Sequence, residues 1–134
     1  MEESDWLIRK EFVRHSGGMA NFKIECDALT DVEIETFAFL ISSKFRFTMV
    51  YGVPRGGLRI ARALKPYCEP DTSLPYLIVD DVGTTGGSME THRSDLEYVN
   101  GGAIDNFIGV VLFWIGEKPP SKWIHPVFTI WTGT

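Results

Sequence analysis

Asp80 and Asp81 are adjacent carboxylates that follow a short apolar run, Tyr76 to Val79, and precede Gly83-Thr84-Thr85-Gly86-Gly87-Ser88. The apolar run has the character of a strand buried on both faces. The small and hydroxylated residues after it read as a turn that opens a helix. Such a turn aims several backbone N–H groups at one point, and the helix dipole adds positive potential there, which suits a phosphate. Carboxylates do not hold phosphate directly; they suit sugar hydroxyls or a hydrated metal ion. Together these residues describe a site for a phosphorylated sugar. A second glycine-rich turn, Tyr51-Gly52-Val53-Pro54-Arg55-Gly56-Gly57-Leu58, lies upstream. There Gly56 and Gly57 permit close backbone approach to a ligand, and Arg55 can pair with its oxygens.

The string Leu77-Ile78-Val79-Asp80-Asp81-Val82-Gly83-Thr84-Thr85-Gly86-Gly87-Ser88-Met89 resembles the phosphoribosyl pyrophosphate (PRPP) motif of type I phosphoribosyltransferases along its whole length. The resemblance implies that Asp80 and Asp81 lie against the ribose hydroxyls. It implies that Val82, Gly83, Thr84, Thr85, Gly86, Gly87 and Ser88 wrap the 5-phosphate. Val53, Pro54, Arg55, Gly56 and Gly57 are similar to the family's pyrophosphate loop, in the expected chain order. Asp80, Asp81 and Arg55 are then the catalytic candidates, with Mg²⁺ held by Asp80 and Asp81 indirectly, through water or PRPP. A loop of this kind also leads one to expect a cis or strained peptide at Val53–Pro54 or its neighbours. Ser16 to Lys23 is similar to the stretch after the first helix of orotate phosphoribosyltransferases, which implies base contacts from Asn21 and Phe22. The implied activity is transfer of the 5-phosphoribosyl group to a nitrogenous base, such as orotate or another pyrimidine, with release of pyrophosphate. The implied partners are PRPP and a base or nucleoside monophosphate.

One departure from the family bears on activity. Only Pro66 to Pro75 separate the helix after the second turn from the motif strand, where the family carries an extra strand and a mobile lid. Lids exclude water and complete a site. Without one, a second subunit (a homodimer) closes the site, or turnover is slow, or the chain is a PRPP- or nucleotide-binding regulator on the same fold. A phosphoacceptor receiver domain also carries an acidic pair like Asp80-Asp81, but on its first strand and without a Thr-Thr-Gly-Gly-Ser loop.

The elements that must position these residues follow from periodicity. A helix is expected over Ser4 to Arg14, then a short strand over Asn21 to Glu25. Thr30-Asp31-Val32-Glu33 is a capping-box signature, and Ile34, Phe37, Ala38 and Ile41 are spaced for the core face of the helix it starts. Phe45 to Val53 reads as a strand, and Gly56 to Leu64 as a helix stopped at Pro66. Met89, Leu96 and Val99 give a helical face that ends at Asn100-Gly101-Gly102. Phe107 to Phe113 is a second buried strand, and Val127 to Trp131 a last one. Alternating strands and helices predict an α/β fold with a mainly parallel sheet flanked by helices, ligands sitting beyond the strands' carboxyl ends. One domain is expected over 1–134, with a core at about 30–115 and small hood segments at about 15–26 and 116–134. Trp123, between proline-bearing turns, is a candidate to stack on a base, a contact worth about 1–3 kcal/mol.

Composition bounds the function class. The chain has 134 residues, 44% hydrophobic, four Trp and a net charge of −5, which argues against a nucleic-acid or membrane binder. No run is long enough to span a bilayer and no signal-peptide pattern is present, so a cytoplasmic protein is expected. Cys26 and Cys68 lack metal-ligand spacing. The charge is uneven: Lys44, Arg46, Arg55, Arg59, Arg62 and Lys65 lie in an acid-free stretch carrying +6, which leaves −11 elsewhere. A basic zone in an acidic chain suits a small polyanion, with Arg55 and Arg59 the cations expected near it. His15, His92 and His125 receive no role.

Overall fold

The computed structural model describes residues 7–8, 12–13, 19–20, 23–24, 26–102, 106–116 and 121–130. Near the N-terminus four two-residue strands pair antiparallel: β1 (Leu7–Ile8) with β4 (Lys23–Ile24), and β2 (Phe12–Val13) with β3 (Met19–Ala20). Within the stretch 4–14, where a helix was expected, the described residues Leu7–Ile8 and Phe12–Val13 are strands. The apolar residues of that stretch come as the pairs Leu7-Ile8 and Phe12-Val13, and β-branched members such as Ile8 and Val13 favour strands.

A 3₁₀ turn (Cys26–Ala28) leads to α1 (Asp31–Lys44). The capping box is present: Glu33 N–H donates to Thr30 Oγ1 at 3.1 Å, and Thr30 N–H donates to Glu33 Oε1 at 2.9 Å. Ile34, Phe37, Ala38 and Ile41 are buried as the spacing predicts. Next come β5 (Met49–Gly52), α2 (Leu58–Leu64), a 3₁₀ turn (Lys65–Tyr67), β6 (Tyr76–Gly83), α3 (Gly87–Val99), β7 (Phe107–Ile115) and β8 (Ile124–Ile130). β5 is shorter than expected because Phe45 caps α1 and Phe47 is buried before the strand starts.

The main sheet has the order β5-β6-β7-β8 with all three pairings parallel. β6 and β7 alternate between two cores. Leu77, Val79, Val110 and Leu112 pack with α1 and α2, while Ile78 and Val111 pack with Met89 of α3, Trp114 and Ile124. Both faces are covered, as parallel strands require. Val99, expected on the buried face of α3, is 78% exposed.

β8 begins three residues earlier than expected and belongs to the main sheet, so 124–130 forms a core strand and not a hood segment. Gly109 N–H donates to the Trp123 carbonyl and Gly116 N–H to the Ile130 carbonyl, each at 2.9 Å, fixing both ends of the strand.

Candidate functional site

The two expected loops lie side by side because β5 and β6 are paired neighbours, Gly52 opposite Val79. Val53 N–H donates to the Val79 carbonyl at 2.9 Å, and Gly57 N–H donates to the Val53 carbonyl at 2.8 Å. These bonds fold 53–57 back over the end of β6. The Pro54–Arg55 peptide is cis, beside the bond where an unusual peptide was expected. Val53 and Gly57 are buried, while Pro54 and Arg55 are exposed, and Arg55 forms no ion pair with another described residue. A cation kept free at a loop tip is available to an external anion.

β6 does not stop before the acidic pair. It continues through Asp80 to Gly83 because β7 runs alongside to Ile115, pairing Asp80 with Val111 and Gly83 with Trp114. The carboxyl groups of the pair stay within hydrogen-bonding reach of each other, and each also meets a different loop. Asp80 lines a cavity of about 70 Å³ with Val82, Gly83, Thr84, Thr85, Gly86, Gly87, Ser88 and Met89. That is several times the space one water needs, on the scale of a phosphoryl group. Asp81 turns to the other loop: a β-carbon on Gly56 would fall on its carboxylate. Each carboxylate also accepts the next backbone N–H, Asp81 N to Asp80 Oδ1 at 2.8 Å and Val82 N to Asp81 Oδ1 at 2.7 Å.

Asp80 is 8% exposed. Burial, followed by the neighbouring Asp81 carboxyl, pushes its pKa up to about 7. Among the described residues no three His, Cys, Asp or Glu side chains gather as a metal cage. The donor set is two carboxylates, which fits a Mg²⁺ that keeps water and substrate oxygens as its other ligands.

In the loop 83–88, Thr84, Thr85, Gly87 and Ser88 are exposed and Gly86 is buried. Gly86 has φ +84°, a conformation that a residue with a β-carbon rarely adopts. Gly87 N–H donates to Thr85 Oγ1 at 3.2 Å, and no side chain caps α3. The N–H groups of its first turn thus face the cavity side with few internal partners.

Arg59 departs from its expected place, and the surroundings of Trp123 and of the connection 66–75 are defined. Arg59 is not at the site: it donates to the Leu29 carbonyl at 2.6 Å and to Asp31 Oδ1 at 2.8 Å, tying α2 to the start of α1. Trp123 contacts α3. Its Nε1–H donates to Glu90 Oε1 at 2.6 Å, Arg93 lies 4.9 Å from its ring centroid, and its edge fills the space beside Gly109. The short connection 66–75 lies at the opposite end of the sheet, where Thr48 N–H donates to the Pro75 carbonyl and Glu69 N–H to the Phe47 carbonyl. Arg46, bonded to Glu69 at 2.8 Å, is at that far end too. Asn21 and Phe22 lie outside the described residues. A larger groove of about 410 Å³ between α1 and β8, bordered by Lys44, Phe45, His125 and Phe128, is separate from the acidic pair. Sequence reading missed the Gly56–Asp81 contact and the ring beneath the loop 83–88 described below, since both depend on strand register.

No protein-family model and no curated protein matches the sequence. Solved structures do match. The chain is similar to the orotate phosphoribosyltransferase from Aeropyrum pernix at 23% identity and TM-score 0.69, covering 94% of this chain and 89% of that one. It is similar to the Mycobacterium tuberculosis H37Rv orotate phosphoribosyltransferase solved with Fe(III) dicitrate, at 14% identity and TM-score 0.71, covering 92% and 89%. The Francisella tularensis enzyme matches at 17% identity and TM-score 0.65, covering 94% and 81%. The chain has the α/β fold of the type I phosphoribosyltransferases. Among the described residues no helix is long and apolar enough to cross a membrane.

Proposed function

We propose that the chain binds PRPP and transfers its 5-phosphoribosyl group to a nitrogenous base, orotate or another pyrimidine, releasing pyrophosphate. The observation that carries this reading is the placement of the Asp80–Asp81 pair between the small cavity of 82–89 and an arginine-bearing glycine loop. A ligand with a phosphate at one end of a ribose and a pyrophosphate at the other matches that spacing of functions. The N–H groups and hydroxyls of 83–88 take the 5-phosphate, and the acidic pair takes the ribose hydroxyls. The exposed Arg55 takes the pyrophosphate and stabilises its charge as the C1–O bond breaks. Mg²⁺, held by Asp80 and Asp81 through water or the ligand, would supply further neutralisation of that leaving group. The α/β fold shared with orotate phosphoribosyltransferases supports the reading.

The short connection 66–75 favours a second reading, a PRPP- or nucleotide-binding regulator with little turnover, because no segment of it reaches the site to exclude water. Incubation with labelled PRPP, Mg²⁺ and a panel of bases separates the two. Base-dependent pyrophosphate release identifies the transferase. Binding without release identifies the regulator, and absence of PRPP binding rejects both.

A further inference from the structure

We propose that Trp114 is a positioning residue for the phosphate loop, acting through the backbone it supports; the inference rests on the phosphate reading of 83–88. In register, Trp114 of β7 is the partner of Gly83. Its side chain, 1% exposed, leans across to β6. A β-carbon on Gly83 would lie 2.7 Å from Trp114 Cε3 and 2.8 Å from Cζ3, so the glycine sits directly on the ring. On the same outer edge of the six-membered ring, Cη2, bonded to Cζ3, lies 3.8 Å from the β-carbon position of Gly86, and Ile124 Cδ1 lies 3.3 Å from it. One ring thus underlies both glycines that bound Thr84-Thr85.

Trp114 does not line the cavity, so it has no part in touching the ligand. Its leverage comes from how little else holds the loop. The described side-chain bond within it is the 3.2 Å contact of Gly87 N–H with Thr85 Oγ1, and α3 has no side-chain cap. Hydrogen bonds weaken steeply with angle, so a loop free to settle into a void misdirects its N–H groups. Phe is shorter than Trp and lacks the outer indole edge, Cζ3 and Cη2, that meets both glycine positions. Adding bulk at Gly83 produces the converse fault, by lifting the loop off the ring.

The test is calorimetric binding of ribose 5-phosphate to wild type and Trp114→Phe, well below the melting temperature of each. Weakening of roughly tenfold or more in a variant that remains folded is expected from misaimed donors. Equal affinity in a folded Trp114→Phe overturns the inference and leaves the phosphate reading intact. Failure of wild type to bind ribose 5-phosphate overturns both. Should Trp114→Phe not fold, wild type carrying 5-fluorotryptophan decides the matter. The Trp114 resonance, assigned by elimination with Trp6→Phe, Trp123→Phe and Trp131→Phe, shifts on saturation with ribose 5-phosphate if the ring supports the loop. An unmoved resonance at saturation rejects the role.

Discussion

The carboxylate of Asp81 occupies the space where Gly56 would carry a side chain. This contact joins the two loops of the candidate site, one following β5 and the other following β6. Gly56→Ala is therefore predicted to displace Asp81 or lift the Arg55 loop. PRPP affinity should fall by about 1–3 kcal/mol, the cost of a misplaced charged hydrogen-bonding group. Calorimetry of Gly56→Ala checks this, and unchanged affinity would show that the loops move independently.

Asp80 gives a pH signature. Its folded pKa, raised to about 7 chiefly by burial, exceeds the ordinary 3.8. A raised carboxyl favours the folded state when protonated, so its contribution is complete below about pH 4 and is lost as pH rises through about 7. Melting temperature should therefore climb as pH falls from 8 to 5, with an effect bounded by about 1.4 kcal/mol per pH unit. Asp80→Asn should flatten that dependence. Ligand affinity should move the opposite way in wild type, weakening at low pH as the carboxylate that accepts ribose hydroxyls is neutralised. A wild-type melting curve with the same pH dependence as Asp80→Asn would place the titration elsewhere.

Much of this was legible in the chain because it is local. The capping box at Thr30 and Glu33, the core face of α1 and the two glycine turns depend on residues a few positions apart. The placement of Asp80 at the 82–89 cavity and of Asp81 against Gly56 was less legible, since it requires β6 to continue to Gly83, and β7 decides that. The surroundings of Trp123 were hidden for a similar reason. Flanking prolines indicate a turn, yet the partner that claims the indole is Glu90, 33 positions away. The strands Leu7–Ile8 and Phe12–Val13 lie where a helix was expected because their partners, β3 and β4, come later in the chain.

Arg55 should discriminate between ligands. It is exposed and forms no ion pair with another described residue, so Arg55→Ala leaves no buried charge behind and should keep the fold. If the guanidinium meets pyrophosphate, PRPP should lose about 1.5–3 kcal/mol and a nucleoside monophosphate little, as expected for hydrogen bonds to charged groups. Comparable losses for both ligands would assign Arg55 to shaping the loop instead.

The last prediction concerns Trp123, where packing and base recognition make opposite forecasts. Glu90 Oε1 accepts from both Trp123 Nε1 and Ser121 Oγ, each at 2.6 Å, and these two bonds lower the Glu90 pKa. Trp123→Phe keeps an aromatic ring beside Gly109 and Arg93 but removes one donor. Stability should drop by about 1–2 kcal/mol, the usual worth of a hydrogen bond to a carboxylate at a partly exposed site. A depressed carboxyl stabilises the fold above its ordinary pKa, and that contribution fades as pH falls through the lower folded value. The wild-type advantage over Trp123→Phe should therefore shrink in acid, below about pH 4. Because Arg93 already covers the ring, adding a base or nucleotide should leave the Trp123 component of the emission, obtained by subtracting the Trp123→Phe spectrum, unchanged. Quenching of that component by a base would mean that the ring leaves Arg93 to stack on the ligand.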